Sequence, residues 1–241
     1  MTRPILRGAA ALVTAALALG SVTTTARAQG TAETRVAALK RTLAENAAAQ
    51  RRYTWIETTE IALNGEPKET NSMSCHYVTG SEKPQCTQIG APPEPKKVRG
   101  PLRKKIAKGK IADLKAYMDS VKTLVASYVQ PEQGLIQQAQ QRGDVAVAPN
   151  PSNGTFKVTI SNYLQKGDAV AVVVHQEDNH LAAVNISTWL NDPSAAVSLD
   201  VTFTTLANGA VGFPLKKVLT ASAKGVVVTI TSSNFALALA Q

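Results

Sequence analysis

The chain has 241 residues, 44% of them hydrophobic, and a formal net charge of +9. The hydrophobic fraction is ordinary for a globular protein, and the length suffices for one large domain or two small ones. Aromatic residues make up only 5% of the chain. Side chains that could stack on bases are therefore scarce, and nucleic acid is not an expected partner.

Residues 1–28 are predicted to be a secretory signal peptide. Arg3 and Arg7 give a positive n-region, an apolar stretch follows, and Ala26-Arg27-Ala28 has the small-x-small pattern of a cleavage site. The apolar stretch is shorter than the about 20 residues that a membrane-spanning helix needs. We therefore expect a periplasmic or secreted mature chain over 29–241. The alternatives are an N-terminal membrane anchor and a buried helix.

The mature chain is predicted to form one α+β domain. Its parts are a helix and hairpins in 29–90, a proline-rich linker in 91–101, basic and amphipathic helices in 102–143, and antiparallel strands in 144–241. This order predicts an antiparallel sheet covered by an N-terminal helix and a central helical pair.

The N-terminal part is predicted to contain a helix and then a hairpin. The helix runs from Thr31 to about Arg52, because apolar residues recur there at helical spacing. The period then changes to that of a strand, and one strand face, interrupted by Glu57 and Thr59, carries Tyr53, Trp55, Ile61 and Leu63. Asn64-Gly65 is a strong hairpin-turn signal, and a return strand follows it.

Two cysteines, Cys75 and Cys86, are predicted to form a disulfide. They lie in two short strand-like stretches around a turn at Gly80, and an even cysteine count suits an oxidising compartment. The alternative, a redox-active pair, would be expected to show a C-x-x-C spacing, which the sequence lacks.

A run of positive charge follows the hairpins. We call it the basic segment, 96–110, in which eight of fifteen residues are basic: Lys96, Lys97, Arg99, Arg103, Lys104, Lys105, Lys108 and Lys110. Without the signal peptide the formal charge is +6, so the mature chain outside this segment sums to −2. Such a local patch favours docking to an anionic membrane surface or an acidic envelope partner. The alternative is a solvated helix start.

Helices and then strands are predicted for the rest of the chain. An amphipathic stripe contains Ile111, Leu114, Met118, Val121, Val125 and Tyr128. Gly109 is expected to separate this helix from the basic turn before it, and a second helix is expected to end at Gly143. From Asp144 onward, alternating residues and turn signals such as Asn153-Gly154 predict a meander of five or six strands.

The sequence contains no recognised catalytic motif, so we expect no catalytic residue, no metal and no cofactor. His175 and His180 flank a turn with two carboxylates and could ligate zinc or copper; the alternative is a polar hairpin tip. Trp55 and Trp189 are candidates for lining a ligand cavity, although strand tryptophans are more often core or rim. Asn162–Asp168 is either a recognition loop or the start of the next strand.

Two resemblances carry expectations. "VRGPLRKKIAKGKIADLKAYMDSVKTLVASYV", "NYLQKGDAV" and "ISTWLNDPSAAVSLDVTFTTLANGAVGFP" resemble a family of exported bacterial proteins, which implies export and no particular activity. An amphipathic N-terminal helix followed by "YTWIETTEIALNGEPKE" resembles the periplasmic lipoprotein-carrier (LolA-like) superfamily. That resemblance implies a half-closed barrel covered by helices, with acyl chains held between sheet and helices.

The sequence is compatible with three functions. The first is an exported, non-catalytic binding protein for a lipid or other apolar ligand. The second is an envelope interaction or structural protein with a filled core. The third is a hydrolase or metal enzyme that uses His175 or His180.

Overall fold

A ten-stranded antiparallel sheet organises the chain. The computed structural model describes residues 45–81, 83–90, 101–129, 132–206 and 211–238, and over 101–108 it describes the helical backbone alone. The predicted signal peptide, the first part of the helix predicted from Thr31, and most of the predicted proline-rich linker lie outside these residues.

Consecutive strands pair as antiparallel hairpins, except for the third and the fourth, which the helices separate in the chain and which lie at opposite edges of the sheet. Their bounds are β1 Tyr53–Leu63, β2 Glu66–Tyr77, β3 Pro84–Ile89, β4 Val145–Asn150, β5 Thr155–Ser161, β6 Ala169–His175, β7 Leu181–Trp189, β8 Ala196–Leu206, β9 Val211–Ala221 and β10 Val226–Leu237. The spatial order is β3-β2-β1-β10-β9-β8-β7-β6-β5-β4. The sheet is therefore open, with β3 and β4 as its edges.

The region after Asp144 contains seven strands, not the five or six that the sequence predicts. The short strand β4, "VAVAPN", gives a poor strand signal because it is rich in alanine and contains Pro149. Proline lacks an amide donor and is tolerated mainly on an edge strand. β4 is such a strand, since it pairs only with β5 among the described strands.

Three helical stretches accompany the sheet. Residues 45–50 are helical, α1 covers Pro101–Val129 and α2 covers Gln133–Arg142. The predicted break at Gly109 is wrong, because α1 runs through it; one helical glycine costs only about 1 kcal/mol relative to alanine. The predicted end at Gly143 is confirmed, with the residue in the left-handed conformation.

The stripe on α1 packs against the sheet from Leu114 onward. Val121, Val125 and Tyr128 are fully buried, and Leu114 and Met118 are partly buried against the same cluster. Ile111 does not belong to it, since 67% of this residue is exposed. We call the sheet face covered by α1 and α2 the inner face.

Two predicted connections in the N-terminal part are confirmed. Asn64 and Gly65 have positive φ angles of 52° and 78° in the β1–β2 turn, as a type I′ hairpin requires. Cys75 of β2 lies directly opposite Cys86 of β3 and is bonded to it.

Candidate functional site

The inner face carries apolar residues across eight strands. One row of register partners runs from β1 to β4 without a polar side chain: Ile61, Val228, Leu219, Leu199, Ile186, Val170, Ile160 and Val145. Antiparallel sheets bury such a face against helices. Here the middle of the row is buried, whereas Ile61 and Val145 at its two ends are only partly buried.

The neighbouring row contains one charge. It reads Thr59, Ile230, Lys217, Val201, Val184, Val172, Val158 and Val147 from β1 to β4. Lys217 therefore occupies a position in a row whose other members from β10 to β4 are all aliphatic. Only 6% of it is exposed, and a lysine this buried is rare unless its charge is paired.

Glu57 of β1 pairs with this lysine. Its Oε2 lies 3.0 Å from Lys217 Nζ, and the side chains are 12% and 7% exposed. β10 lies between the two parent strands, so the backbones are two strand spacings apart, about 9.6 Å. Both side chains must therefore extend over β10, where Ser232, the register partner of Glu57, is also buried.

The sequence contains a signal for the inward position of Lys217. In "VGFPLKKVLTA" two lysines are adjacent, and strand side chains alternate between faces. Once Leu219 and Ala221 face inward, Lys217 must also face inward. The interruption of the β1 face by Glu57 was visible as well, but nothing in the sequence placed β1 and β9 within reach of each other.

Aromatic residues from β1, β2, β9 and β10 form a second cluster. The cluster comprises Tyr53, Trp55, Tyr77, Phe213 and Phe235, and the Trp55 and Phe213 ring centroids are 5.1 Å apart. Cys75 of the disulfide is buried in the same group. This cluster is separate from the larger one under α1. Lys217, the partner of Glu57, lies between Ile230 and Val201, which belong to the larger cluster.

The helical stretch 45–50 is fixed to this end of the sheet. Asn46 Oδ1 accepts the Gly212 amide at 2.6 Å and its Nδ2 donates to the Gly212 carbonyl at 2.9 Å. Gln50 Nε2 donates to the same carbonyl, and Ala49 packs against the aromatic cluster. Two amide side chains thus bind the β9 backbone and fix the helix position.

A second set of contacts holds the C-terminal end of α1. The Tyr128 hydroxyl donates to Asp168 Oδ2 at 2.6 Å and lies 2.7 Å from Thr188 Oγ1. Gln165 Nε2 donates to that Thr188 oxygen at 2.7 Å. Burial and the hydrogen bond to Asp168 raise the pKa of Tyr128 above its usual value.

Asp168 is the acceptor at the centre of the Asn162–Asp168 loop. Its carboxylate also accepts the backbone amides of Tyr163, Leu164 and Gln165 at 2.5–2.9 Å, and only 1% of the residue is exposed. Donors from the loop and from α1 together occupy the acceptor positions of this carboxylate. Its geometry is that of a structural anchor, so the loop fixes a helix rather than presenting an open recognition surface.

One polar atom under α1 has no hydrogen-bond partner among the described residues. The Tyr117 hydroxyl is buried, and burial raises the pKa of this side chain. Tyr117 packs against the large cluster together with Leu114 and Met118. A buried hydroxyl is normally hydrogen-bonded, so this one can donate to a polar atom of a bound molecule.

The two predicted tryptophans are not brought together. Trp55 is 5% exposed inside the aromatic cluster, whereas the Trp189 ring lies against Gly167 at the end of β7. Four strand spacings separate β1 from β7, which is about 19 Å of sheet. Contact of either residue with a ligand stays a prediction.

The two histidines flank the β6–β7 hairpin as expected. His180 Nδ1 is buried and lies 3.8 Å from Asp178 Oδ2. Among the described residues, no group of three or more His, Cys, Asp or Glu side chains is placed to hold a metal ion.

The basic segment lies partly outside the described residues. Lys96, Lys97 and Arg99 precede α1 in an undescribed stretch, Arg103, Lys104, Lys105 and Lys108 lie on its first turns, and Lys110 is exposed. Within the part of the chain that the structure describes, no helix has both the length and the hydropathy to cross a membrane.

Comparison with solved structures gives a similarity to a LolA superfamily protein from Nitrosomonas europaea. The sequence identity is 7% and the TM-score 0.38, with 84% of this chain and 94% of that chain covered. No family model matches the chain, and no curated protein matches it significantly. At this TM-score the similarity carries no argument about a ligand, which must come from the chain's own geometry.

Proposed function

We propose that the chain is an exported, non-catalytic binding protein that holds a lipid or another apolar ligand between α1 and the inner face of the sheet. The observation that carries this proposal is the apolar row from Ile61 to Val145, which spans eight strands and is only partly buried at both ends. In the next row, Val147 is 59% exposed. Apolar side chains that stay accessible at the ends of a buried apolar row offer a surface that an apolar ligand can contact.

The packing of α1 suggests how a ligand enters. The buried contacts of Val125 and Tyr128 fix the C-terminal end of the helix, whereas Leu114 and Met118, nearer its N-terminal end, are only partly buried. An acyl chain can therefore insert beneath the N-terminal half of α1 without disturbing the anchor at Asp168. The Tyr117 hydroxyl would then donate to a carbonyl oxygen of the ligand.

Export is supported by the disulfide between Cys75 and Cys86, since structural disulfides persist in oxidising compartments. The basic segment supplies the second part of the proposal. It docks the protein on an anionic envelope surface, and its charge combined with the exposure of Lys110 and Ile111 supports this role.

Ligand binding is tested on delipidated protein with an anthroyloxy-labelled stearate as the fluorescent probe. We expect saturable binding that weakens in the double variant Leu114→Gln/Met118→Gln, because both side chains belong to the stripe facing the sheet. The matched control is Ala116→Gln/Ala126→Gln, which adds the same side chains at exposed positions of α1.

Native mass spectrometry of protein taken from producing cells gives an independent readout, since a retained lipid adds mass. A folded protein that carries no lipid and does not bind the probe would contradict the proposal. It would favour an envelope structural protein with a filled core.

A further inference from the structure

We propose that Glu57 and Lys217 form the head-group subsite of this binding site and that they select a zwitterionic lipid, one whose head group carries both a phosphate and an ammonium. This inference rests on the proposed function, because the acyl chains of the lipid would lie along the apolar rows. Lys217 lies in the second of these rows, and Glu57 reaches it across β10.

The fold does not require this ion pair. Lys217 lies in a row that otherwise holds aliphatic side chains from β10 to β4, and its immediate neighbours are Ile230 and Val201. Removing two charges from water opposes folding, and well-packed apolar residues at such positions are often at least as stable. A charge that breaks the local pattern of a sheet is characteristic of a functional position.

The position of the pair suits a head group. The row beside Lys217, from Ile61 to Val145, is the longest uninterrupted apolar surface of the inner face. Glu57 keeps 12% of its side chain exposed, so its carboxylate is the more accessible member of the pair. The buried Ser232 lies opposite Glu57 in the register and adds a hydroxyl to the same region.

Charge balance determines the ligand class. The pair is neutral as a unit, at 3.0 Å between Oε2 and Nζ. A purely anionic head group that took Lys217 would leave the Glu57 carboxylate buried without a counter-charge, and a purely cationic one would leave Lys217 in that state. A zwitterion gives both side chains a new partner, phosphate to Lys217 and ammonium to Glu57, and keeps the site neutral.

The test compares three lipids with identical oleoyl chains by native mass spectrometry in competition. These are dioleoyl phosphatidylethanolamine, dioleoyl phosphatidylglycerol and dioleoylglycerol. We expect the wild-type protein to prefer the zwitterionic lipid over the anionic one by about tenfold or more, the order expected for one charge-assisted hydrogen bond. Soluble glycerophosphoethanolamine should not displace the lipid at equal concentration, because it lacks the chains.

Two variants separate a head-group role from a packing role. Glu57→Leu/Lys217→Met removes both charges at similar volume, and it should lose the preference between the two charged lipids. Glu57→Lys/Lys217→Glu keeps a neutral pair and should keep the preference, because the zwitterion can bind in the reverse orientation. Loss of the preference in the swapped variant would overturn the inference even if the charge-free variant does not fold.

The outcomes are distinguishable from failure of the proposed function. Binding of all three lipids without head-group preference by the wild type would overturn this inference and leave the apolar site standing. A preference that survives in the charge-free variant would also overturn it, and displacement by the soluble head group would overturn a lipid as its source. Binding of none of the lipids would overturn the proposed function and this inference with it.

Discussion

A single hydroxyl, that of Tyr128, joins α1 to the sheet by way of two partners. Its proton is donated to Asp168, so the Thr188 hydroxyl, which accepts from Gln165, donates to the tyrosine oxygen. The chain of donors is thus directional and ends on a carboxylate. Such buried networks hold one geometry when every member is satisfied.

Removal of this hydroxyl should destabilise the protein by about 1–3 kcal/mol at neutral pH, because Asp168 loses a buried donor. We expect the difference in the free energy of unfolding between the wild type and Tyr128→Phe to decrease at high pH. Since the folded-state pKa of Tyr128 is raised, its contribution is complete below the ordinary tyrosine pKa of about 10 and is lost as pH rises above it.

Urea unfolding of both proteins from pH 7 to pH 12 measures this linkage. A stability difference that stays constant across that range would show that Tyr128 does not titrate with unfolding. Tyr77, whose pKa is also raised by burial, is present in both proteins and cancels in the comparison.

Two features of Gly225 favour glycine: a left-handed backbone conformation and the close approach of the Asn64 side chain. The φ of Gly225 is +60°, and a Cβ there would lie 2.0 Å from Asn64 Oδ1. Gly154 has a φ of +61° with no atom within 4 Å of such a Cβ. Both glycines follow short 3-10 turns, so they form a matched pair.

We expect Gly154→Ala to cost about 1–2 kcal/mol for the left-handed backbone alone. Gly225→Ala should cost about 1–3 kcal/mol more, because the added methyl meets Asn64. In the background of Asn64→Gly, that excess should disappear. Thermal unfolding of the four variants gives the comparison, and equal losses for the two alanine variants would contradict the contact between the turns.

At the scale of elements, the disulfide joins the edge strand β3 to the sheet. β3 has six residues and pairs only with β2 among the described strands. We expect Cys75→Ala/Cys86→Ala to lower the free energy of unfolding by about 2–3 kcal/mol, through the entropy of the short loop that the bond closes.

Hydrogen exchange distinguishes this local effect from a general one. The β3 amides should exchange faster in the double variant, while those of β7 and β8 in the sheet centre should change only by the global loss. A reductant should lower the melting temperature of the wild type but not of the variant. Two titratable thiols in the native wild-type protein would contradict the bond.

The elements were predictable wherever local pattern determines them. Alternation and turn signals after Asp144 predicted the antiparallel strands of that region, and the Asn64-Gly65 turn gave the first hairpin. Two expectations were wrong: the helix break at Gly109 and the packing of Ile111 with the rest of the stripe. Both residues lie in the part of α1 that precedes its contact with the sheet. Helical spacing shows which side chains share a face, but not how far along the helix the sheet extends.

At the scale of the whole molecule, the basic segment is predicted to bind anionic vesicles. Substituting Arg103, Lys104, Lys105 and Lys108 with Gln should weaken binding to phosphatidylglycerol vesicles by roughly 4 kcal/mol at most, at about 1 kcal/mol per charge. Binding should also weaken steeply with salt, because the attraction falls off within a Debye length. Vesicle co-sedimentation at two ionic strengths measures both effects.

The matched control removes four charges elsewhere. Lys122, Lys157, Lys166 and Lys216 are exposed, and their replacement with Gln changes the net charge by the same amount. Equal binding by the two fourfold variants would show that net charge, and not the basic segment, drives the attraction. Unchanged binding by the first variant would leave the segment as a solvated helix start.

The candidate site was less predictable than the fold because it depends on strand order. Glu57 and Lys217 are 160 positions apart in the chain, and neither lies in a motif. The pair forms because β10 lies between β1 and β9, which is a property of the topology. By contrast, Trp55 and Trp189 were conspicuous in the sequence, and the same topology places them far apart.

The position of β10 has a consequence for the order in which the sheet can assemble. The hairpins β1–β3 and the run from β4 to β9 share no strand pairing, and β10 joins the two by pairing with β1 on one side and β9 on the other. It is also the last of the described strands along the chain. During synthesis two partial sheets can form early with their inner edges open, and neither can be closed against the other until the final strand has emerged to lie between them.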